Sequence, residues 1–286
     1  MKRKILDVIF FVLTTAATLI IGLIITLLIT FIFRNGVPIL YQQLTQQQET
    51  EKFFSQQLGQ MLISTLFLTI TTLILVLPFA ISAAIYLHVY ALENRLAQMA
   101  RFCIQLLASI PSIVYGLFGM LIFVQIADFG MSILSGATTL AVMLTPIIIT
   151  QTENALRQVP KAYYFGAASL GATRFETLKT LILPTATPGI IVAVILAIGR
   201  ILSESAALIF TIGTFVKLPL NQNTGVLSIF ETGTTLTVRA LIEFKEYGNL
   251  AGAAAIGVIV LFVIIVFNLI NRVVMWVANG HLFSPF

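Results

Sequence analysis

Residues 152–184 read TENALRQVPKAYYFGAASLGATRFETLKTLILP, the one long polar interruption between apolar blocks that also carries helix punctuation. Val159-Pro160 biases the chain away from helix, so a new helix can begin at Lys161. Tyr163, Tyr164, Phe165 and Leu170 then place large apolar surface on a segment otherwise built of small residues, Gly166 and Ala167 among them. Gly171 supplies a turn or helix stop. Thr173-Arg174-Phe175-Glu176 has the capping-box pattern, in which the Thr hydroxyl accepts from the N3 amide and the Glu reaches back to the Thr amide. Leu183-Pro184 closes this second helix, so the expectation is a short helix, a glycine turn and a second helix leading into whatever follows. Two uses fit such a hairpin: aromatics lying among lipid headgroups, or contact with a protein partner.

The flanking blocks decide the solvent. The 286 residues are 58% hydrophobic and 9% charged, with a mean hydropathy of +1.02, against roughly 25% charged in soluble domains. This is the composition of an all-α polytopic membrane protein. One cysteine, Cys103, excludes an internal disulfide and any multi-cysteine metal site. The formal charge of +5 does not signal nucleic acid, because the basic residues are distributed by membrane side.

Residues 8–33 are uninterrupted apolar sequence behind Lys2, Arg3 and Lys4, too long for a signal-peptide core and therefore an uncleaved first span. Five more runs, 61–92, 102–127, 129–150, 185–216 and 250–271, reach the ~20 residues a bilayer needs. Of the Lys and Arg outside the spans, ten fall on the side of the N-terminus and five on the other, which makes both termini and the 152–184 loop cytoplasmic. The whole chain then reads as one transmembrane domain, 1–286, with 152–184 as its cytoplasmic loop.

Pro78, Pro146 and the Ile110-Pro111-Ser112 break, followed by Tyr115, Gly116 and Gly119, suggest interrupted helices lining a path, since a membrane tolerates freed backbone groups where protein or a watery cavity supplies partners. Simple packing kinks remain the other account. The glutamine-rich loop 34–60 and the loop 217–249, with Asn221, Asn223 and Glu243, Lys245 and Glu246, are solvated connectors or a docking face for an extracellular partner.

Gly171, nine intervening residues and then Leu181-Ile182-Leu183-Pro184 resemble the "EAA" loop of ABC importer permeases, although Phe165, Gly166 and Ala167 stand where that pattern has Glu-Ala-Ala. Ser109 to Gly119 resembles the third-span signature of phosphate importer permeases, and Gly199-Arg200 with Ser203-Glu204-Ser205-Ala206 resembles their fifth-span motif, Ser203 and Ser205 replacing Gly and Thr. Arg34-Asn35-Gly36 and Thr235-Leu236-Thr237-Val238 point to the PstA type of subunit. The resemblance implies the type I importer permease fold in a bacterial or archaeal cytoplasmic membrane. It also implies four partners: a PstC-type second permease, two PstB-type ATP-binding subunits carrying ATP and Mg, and a PstS-type extracellular binding protein delivering phosphate. Lys161, Tyr163, Tyr164, Phe165, Gly166, Ala167, Gly171, Leu183 and Pro184 would make the ATPase contact, more apolar here because Phe165 replaces the glutamate.

Arg200 and Glu204 lie near the middle of the fifth apolar run, one helical turn apart and hence on one face. Arg at a helix centre costs about 2.5–3.5 kcal/mol on insertion scales, so the pair needs a reason: a mutual ion pair welding helices, or a pathway in which Arg200 offers its fork of donors to an oxyanion while Glu204 holds the guanidinium. Ser203 and Ser205 could add hydroxyls. No Gly-x-x-x-x-Gly-Lys-Ser/Thr loop and no zinc-ligand spacing occurs, and His88 and His281 are far apart. Chemistry within this chain is not expected. A secondary transporter coupled through Glu204, a permease for another oxyanion and an intramembrane enzyme or assembly factor are the alternatives.

Overall fold

The computed structural model describes residues 2–45, 49–91, 94–220 and 225–282. Gln46, Gln47, Gln48, Asn221 and Asn223 lie outside them, as does the side chain of His281. Ten α-helices are described: α1 Lys2–Thr45, α2 Glu49–Ile85, α3 Arg95–Ala108, α4 Ser112–Gly119, α5 Ile133–Arg157, α6 Lys161–Ser169, α7 Arg174–Thr177, α8 Leu183–Ser203, α9 Leu236–Lys245 and α10 Leu250–Leu282. Single π-helical stretches extend α2 (Tyr86–Tyr90), α4 (Met120–Ile126) and join α7 to α8 (Leu178–Ile182). Five helical runs are long and apolar enough to cross a bilayer, and a sixth is a pair bent by 97°.

The core is built on α5, whose inner face buries Ile133, Leu140, Leu144 and Ile148 against Leu68 of α2 and Ala197 and Ile201 of α8. α5 is the most enclosed of the candidate spans because helices cover it on several sides. In contrast α1 is exposed along nearly its whole apolar length. It meets α10 at Gly36, where a Cβ would stand 2.6 Å from the Ala254 carbonyl oxygen, so only glycine permits the approach.

Four expectations are corrected. The glutamine-rich 34–60 segment is not a loop: α1 runs to Thr45 and α2 begins at Glu49, consistent with glutamine being a good helix former. Of the three expected interruptions only the one at Pro111 occurs, since Pro78 and Pro146 lie inside the continuous helices α2 and α5. Pro111, extended at φ −60° and ψ 141°, breaks the third span, and the Tyr115 hydroxyl bridges the break by donating to the Leu107 carbonyl (2.8 Å). Residues 152–157 continue α5, so the polar connection starts only at Gln158.

The fifth span is displaced toward the cytoplasmic side. Helix runs from Arg174 to Ser203, 30 residues, instead of 185–216. Pro184 therefore does not end the second loop helix. It stands in the first turn of α8, just past a π turn in which Leu183 N–H donates to the Leu178 carbonyl, and a first-turn proline forfeits little. Beyond Ser203 the backbone is irregular to Thr235, apart from one 3-10 turn at Leu208–Phe210 and residues 221–224, which are not described. Non-helical chain at membrane depth needs protein partners, and it has them. Ser132, Ile133 and Leu134 N–H groups at the start of α5 donate to the carbonyls of Thr211, Glu231 and Ile229, while Thr211, Ile212, Thr234 and Thr235 are buried.

Candidate functional site

The cytoplasmic hairpin has the parts its sequence announces. α6 starts after Pro160 and ends on Gly171 at φ +79°, with Ala172 N–H donating to the Ala167 carbonyl (3.0 Å) and Gly171 N–H to that of Ala168 (3.0 Å), the signature of a glycine C-terminal cap. The capping box at α7 is complete: Thr173 N–H donates to Glu176 Oε2 (2.8 Å) and Glu176 N–H to Thr173 Oγ1 (3.3 Å). The aromatic residues divide by role. Tyr164 packs on the cluster of Val89, Leu156, Val159, Leu178 and Ile182, its hydroxyl buried without a hydrogen-bond partner among the described residues. Burial pushes that hydroxyl above the usual phenol range. Phe165 (70% exposed) and Phe175 (63%) present bare apolar surface, and Tyr163 is also exposed. Lys161 and Gly166 are exposed, Ala167 is buried and Leu183 is half-buried.

At the opposite end of the same helical run stands the charged pair. Arg200 Nη2 lies 3.6 Å from Glu204 Oε2, with the Arg side chain half exposed and the carboxylate buried. The two are not on one continuous helix face as expected. Glu204 is the terminal residue, extended at φ −82° and ψ 128°. Its Oε1 accepts from Ala207 N–H (3.2 Å) and its carbonyl from the Thr237 hydroxyl (2.8 Å). Glu204 thus pins the helix end to the Ala207 turn that follows it and to α9, with the guanidinium as a looser third contact. Arg200 also sits favourably in the last turn, where the helix dipole is negative. The Ser203 hydroxyl is spent on the Gly199 carbonyl (2.8 Å), and Ser205 is half-buried outside the helix.

The glycine of the third-span motif touches this turn directly. A Cβ at Gly116 would come 2.7 Å from Ala207 Cα and 2.8 Å from its carbonyl oxygen, and Tyr115 beside it is buried. Gly116 is thus a packing position against the Ala207 turn and Tyr115 one that spans the Pro111 break, and of Pro111, Ser112, Tyr115 and Gly116 only the first two keep any exposure.

A feature the sequence did not announce joins the ends of three helices. Glu153, buried near the end of α5, accepts from Arg101 Nε (3.0 Å) and from Arg157 Nη2 (2.8 Å), while Arg101 Nη2 donates to the Leu87 carbonyl (2.8 Å) in the π turn of α2. α3, α5 and the end of α2 are tied by one carboxylate. Glu153–Arg157 is a readable i,i+4 spacing, but Arg101 is 52 residues away and has no local signal. Glu153→Ala is expected to lower stability in detergent by about 2–3 kcal/mol, because it strands the partly buried Arg101. Arg157→Ala, whose partner contact is largely solvated, should stay within about 0.5–1 kcal/mol. Unfolding titrations of the two variants check this, and equal effects would dismiss the hub.

The comparisons fit this geometry. Residues 76–275 match the family described as binding-protein-dependent transport system inner membrane component. The chain is 32% identical over 282 residues to the probable ABC transporter permease protein YqgI of Bacillus subtilis, covering 95% of this chain and 96% of that protein. It is also 32% identical over 231 residues to the phosphate transport system permease protein PstA of Haemophilus influenzae, covering 80% of each. Among solved structures, a chain of the MetNI methionine ABC transporter in an inward-facing conformation superposes with a TM-score of 0.65 at 14% identity, covering 80% of this chain and 98% of that one. At that identity the likeness concerns fold alone.

Proposed function

This chain belongs to the family of binding-protein-dependent transport system inner membrane components, and from that premise we infer that it is the PstA-type permease subunit of an ATP-driven phosphate importer. It is a multi-pass protein of the cytoplasmic membrane. The relatives named for phosphate transport support the substrate. A PstC-type chain supplies the other half of the pathway, two PstB-type subunits bind ATP and Mg against the α6–α7 hairpin, and a PstS-type protein delivers phosphate from outside.

One observation carries the mechanism: the helical run Arg174–Ser203 is unbroken. Its 30 residues make a rod of about 45 Å with the exposed Phe175 at its cytoplasmic end and Arg200 at the other. When the ATPase subunits close, they move the hairpin, and the rod carries that displacement to the Glu204 turn. Arg200 then faces the phosphate in one state and withdraws in the other, which provides the differential contact that a ligand-driven change requires. A half-exposed guanidinium paired at 3.6 Å retains donors for an oxyanion without gripping it so tightly that release fails.

The test is ATPase stimulation of the co-purified complex by cognate binding protein loaded with phosphate, arsenate, sulfate or molybdate in turn. Phosphate should stimulate at least about tenfold more than sulfate. Stimulation by sulfate or molybdate alone would assign another oxyanion.

A further inference from the structure

Between the hairpin and the span ends lies a cavity of about 730 Å³, within the ~300–1,000 Å³ typical of small-molecule sites. Four basic side chains line it, His88, Arg157, Lys161 and Arg174, and no acidic one does. Its remaining wall is apolar, formed by Val89, Val159, Ile182 and the rings of Tyr164 and Phe165 among others. The deepest part of the wall is apolar, although Phe165 and Ala168 at the mouth are exposed and His88 is half-buried. Arg157, Lys161 and Arg174 are exposed, whereas Val89, Val159 and Ile182 are buried. Neither Lys161 nor Arg174 has a carboxylate partner among the described residues.

The cavity's level is set by its sources. His88 and Val89 lie at the end of the second span, Arg157 ends the fourth, and Thr177 and Ile182 open the fifth. These are the cytoplasmic ends of three spans, the depth of lipid headgroups, where basic pockets between helices recruit anionic lipid. A free phosphate would want a cradle of hydroxyls and amides. Here Thr177 and Tyr164 are the only hydroxyl-bearing residues in the wall, and the Tyr164 hydroxyl is buried. An apolar interior under a cationic mouth instead suits an amphiphile.

We propose that this cavity seats an anionic phospholipid, its phosphate at Lys161 and Arg174 and its upper acyl carbons against Val89, Val159 and Ile182. The lipid fills the space between α6 and the ends of α5 and α8 and so stiffens the hairpin against the spans. This consequence rests on the coupling role of the hairpin, whereas the binding itself does not.

The experiment uses the whole transporter complex, extracted gently and examined by native mass spectrometry during titration with phosphatidylglycerol, phosphatidylcholine or inorganic phosphate. One phosphatidylglycerol should be retained per copy of this chain, with phosphatidylcholine at least about tenfold weaker. A Lys161→Ala/Arg174→Ala variant should bind it about 30-fold more weakly, each surface basic residue accounting for about fivefold. Ala168→Trp, which fills the cavity while keeping the charges, should also remove the lipid and decides the matter if the double variant fails to assemble. Retention unchanged in Ala168→Trp, or equal retention of phosphatidylcholine, overturns the proposal. So does displacement by millimolar phosphate, which would mark a free-anion site, or a cavity occupied only when the ATPase chain is present, which would mark an acidic protein segment. Lipid binding intact together with unaltered coupling in Phe165→Asp would instead overturn the hairpin's role and leave the lipid site standing.

Discussion

A Phe165→Asp variant should insert and assemble, hydrolyse ATP, and transport almost nothing. Phe165 is 70% exposed and closes the helix turn only through its carbonyl, which accepts from the Ser169 hydroxyl, so its side chain can be exchanged without opening a void. In a docked complex the same ring would be covered. A carboxylate there is desolvated on docking, a penalty of several kcal/mol that the Lys161 ammonium one helical turn away offsets only in part, and that falls on the coupled state and not on the free permease. Uptake should therefore drop at least about tenfold while basal ATPase activity persists, as measured by parallel hydrolysis and uptake assays on one preparation. Tyr164→Asp gives the contrast. It places the charge inside the Leu156–Ile182 cluster and should unseat the hairpin altogether, lowering the yield of assembled complex. Normal coupling in Phe165→Asp would remove the ring from the contact.

Arg200→Ala should abolish uptake, by at least about 100-fold, in a complex that still assembles. Charge-assisted hydrogen bonds are worth about 1.5–3 kcal/mol each, and a guanidinium fork offers two to an oxyanion. The scaffold should tolerate the loss. The Arg side chain is half exposed, and Glu204 keeps its Ala207 amide while its carbonyl keeps the Thr237 hydroxyl. Arg200→Lys retains charge but not the planar fork and should recover only part of the rate. Wild-type uptake by an assembled Arg200→Ala complex would confine the residue to the ion pair.

The hairpin was legible in sequence because its signals are local. Pro160, Gly171 and the Thr173/Glu176 box each act within four residues, and each appears where expected. The span boundaries were less so. Hydropathy reports oiliness without distinguishing helix from buried irregular chain, so 204–216 passed as membrane helix although its carbonyls are satisfied by tertiary donors, the Ser132 and Gly233 N–H groups and the Thr234 hydroxyl. Pro184 misled for the opposite reason: proline usually ends a helix, but in a first turn after a π stretch it need not. The Arg200–Glu204 pair was legible from the cost of charge in an apolar run, while its packing was not, since Thr237 lies 33 residues from the Glu204 carbonyl it meets. Gly116 against Ala207 and Arg101 against Glu153 are likewise contacts between distant segments, which no spacing rule reaches.

The account stands or falls on ATP-driven phosphate uptake into proteoliposomes holding this chain, its second permease and the ATPase subunits, with binding protein on the side of the outer loops. It predicts accumulation that requires both ATP and the binding protein and that is indifferent to proton and sodium gradients. Uptake by this chain alone under an ion gradient, without ATPase subunits, would contradict it.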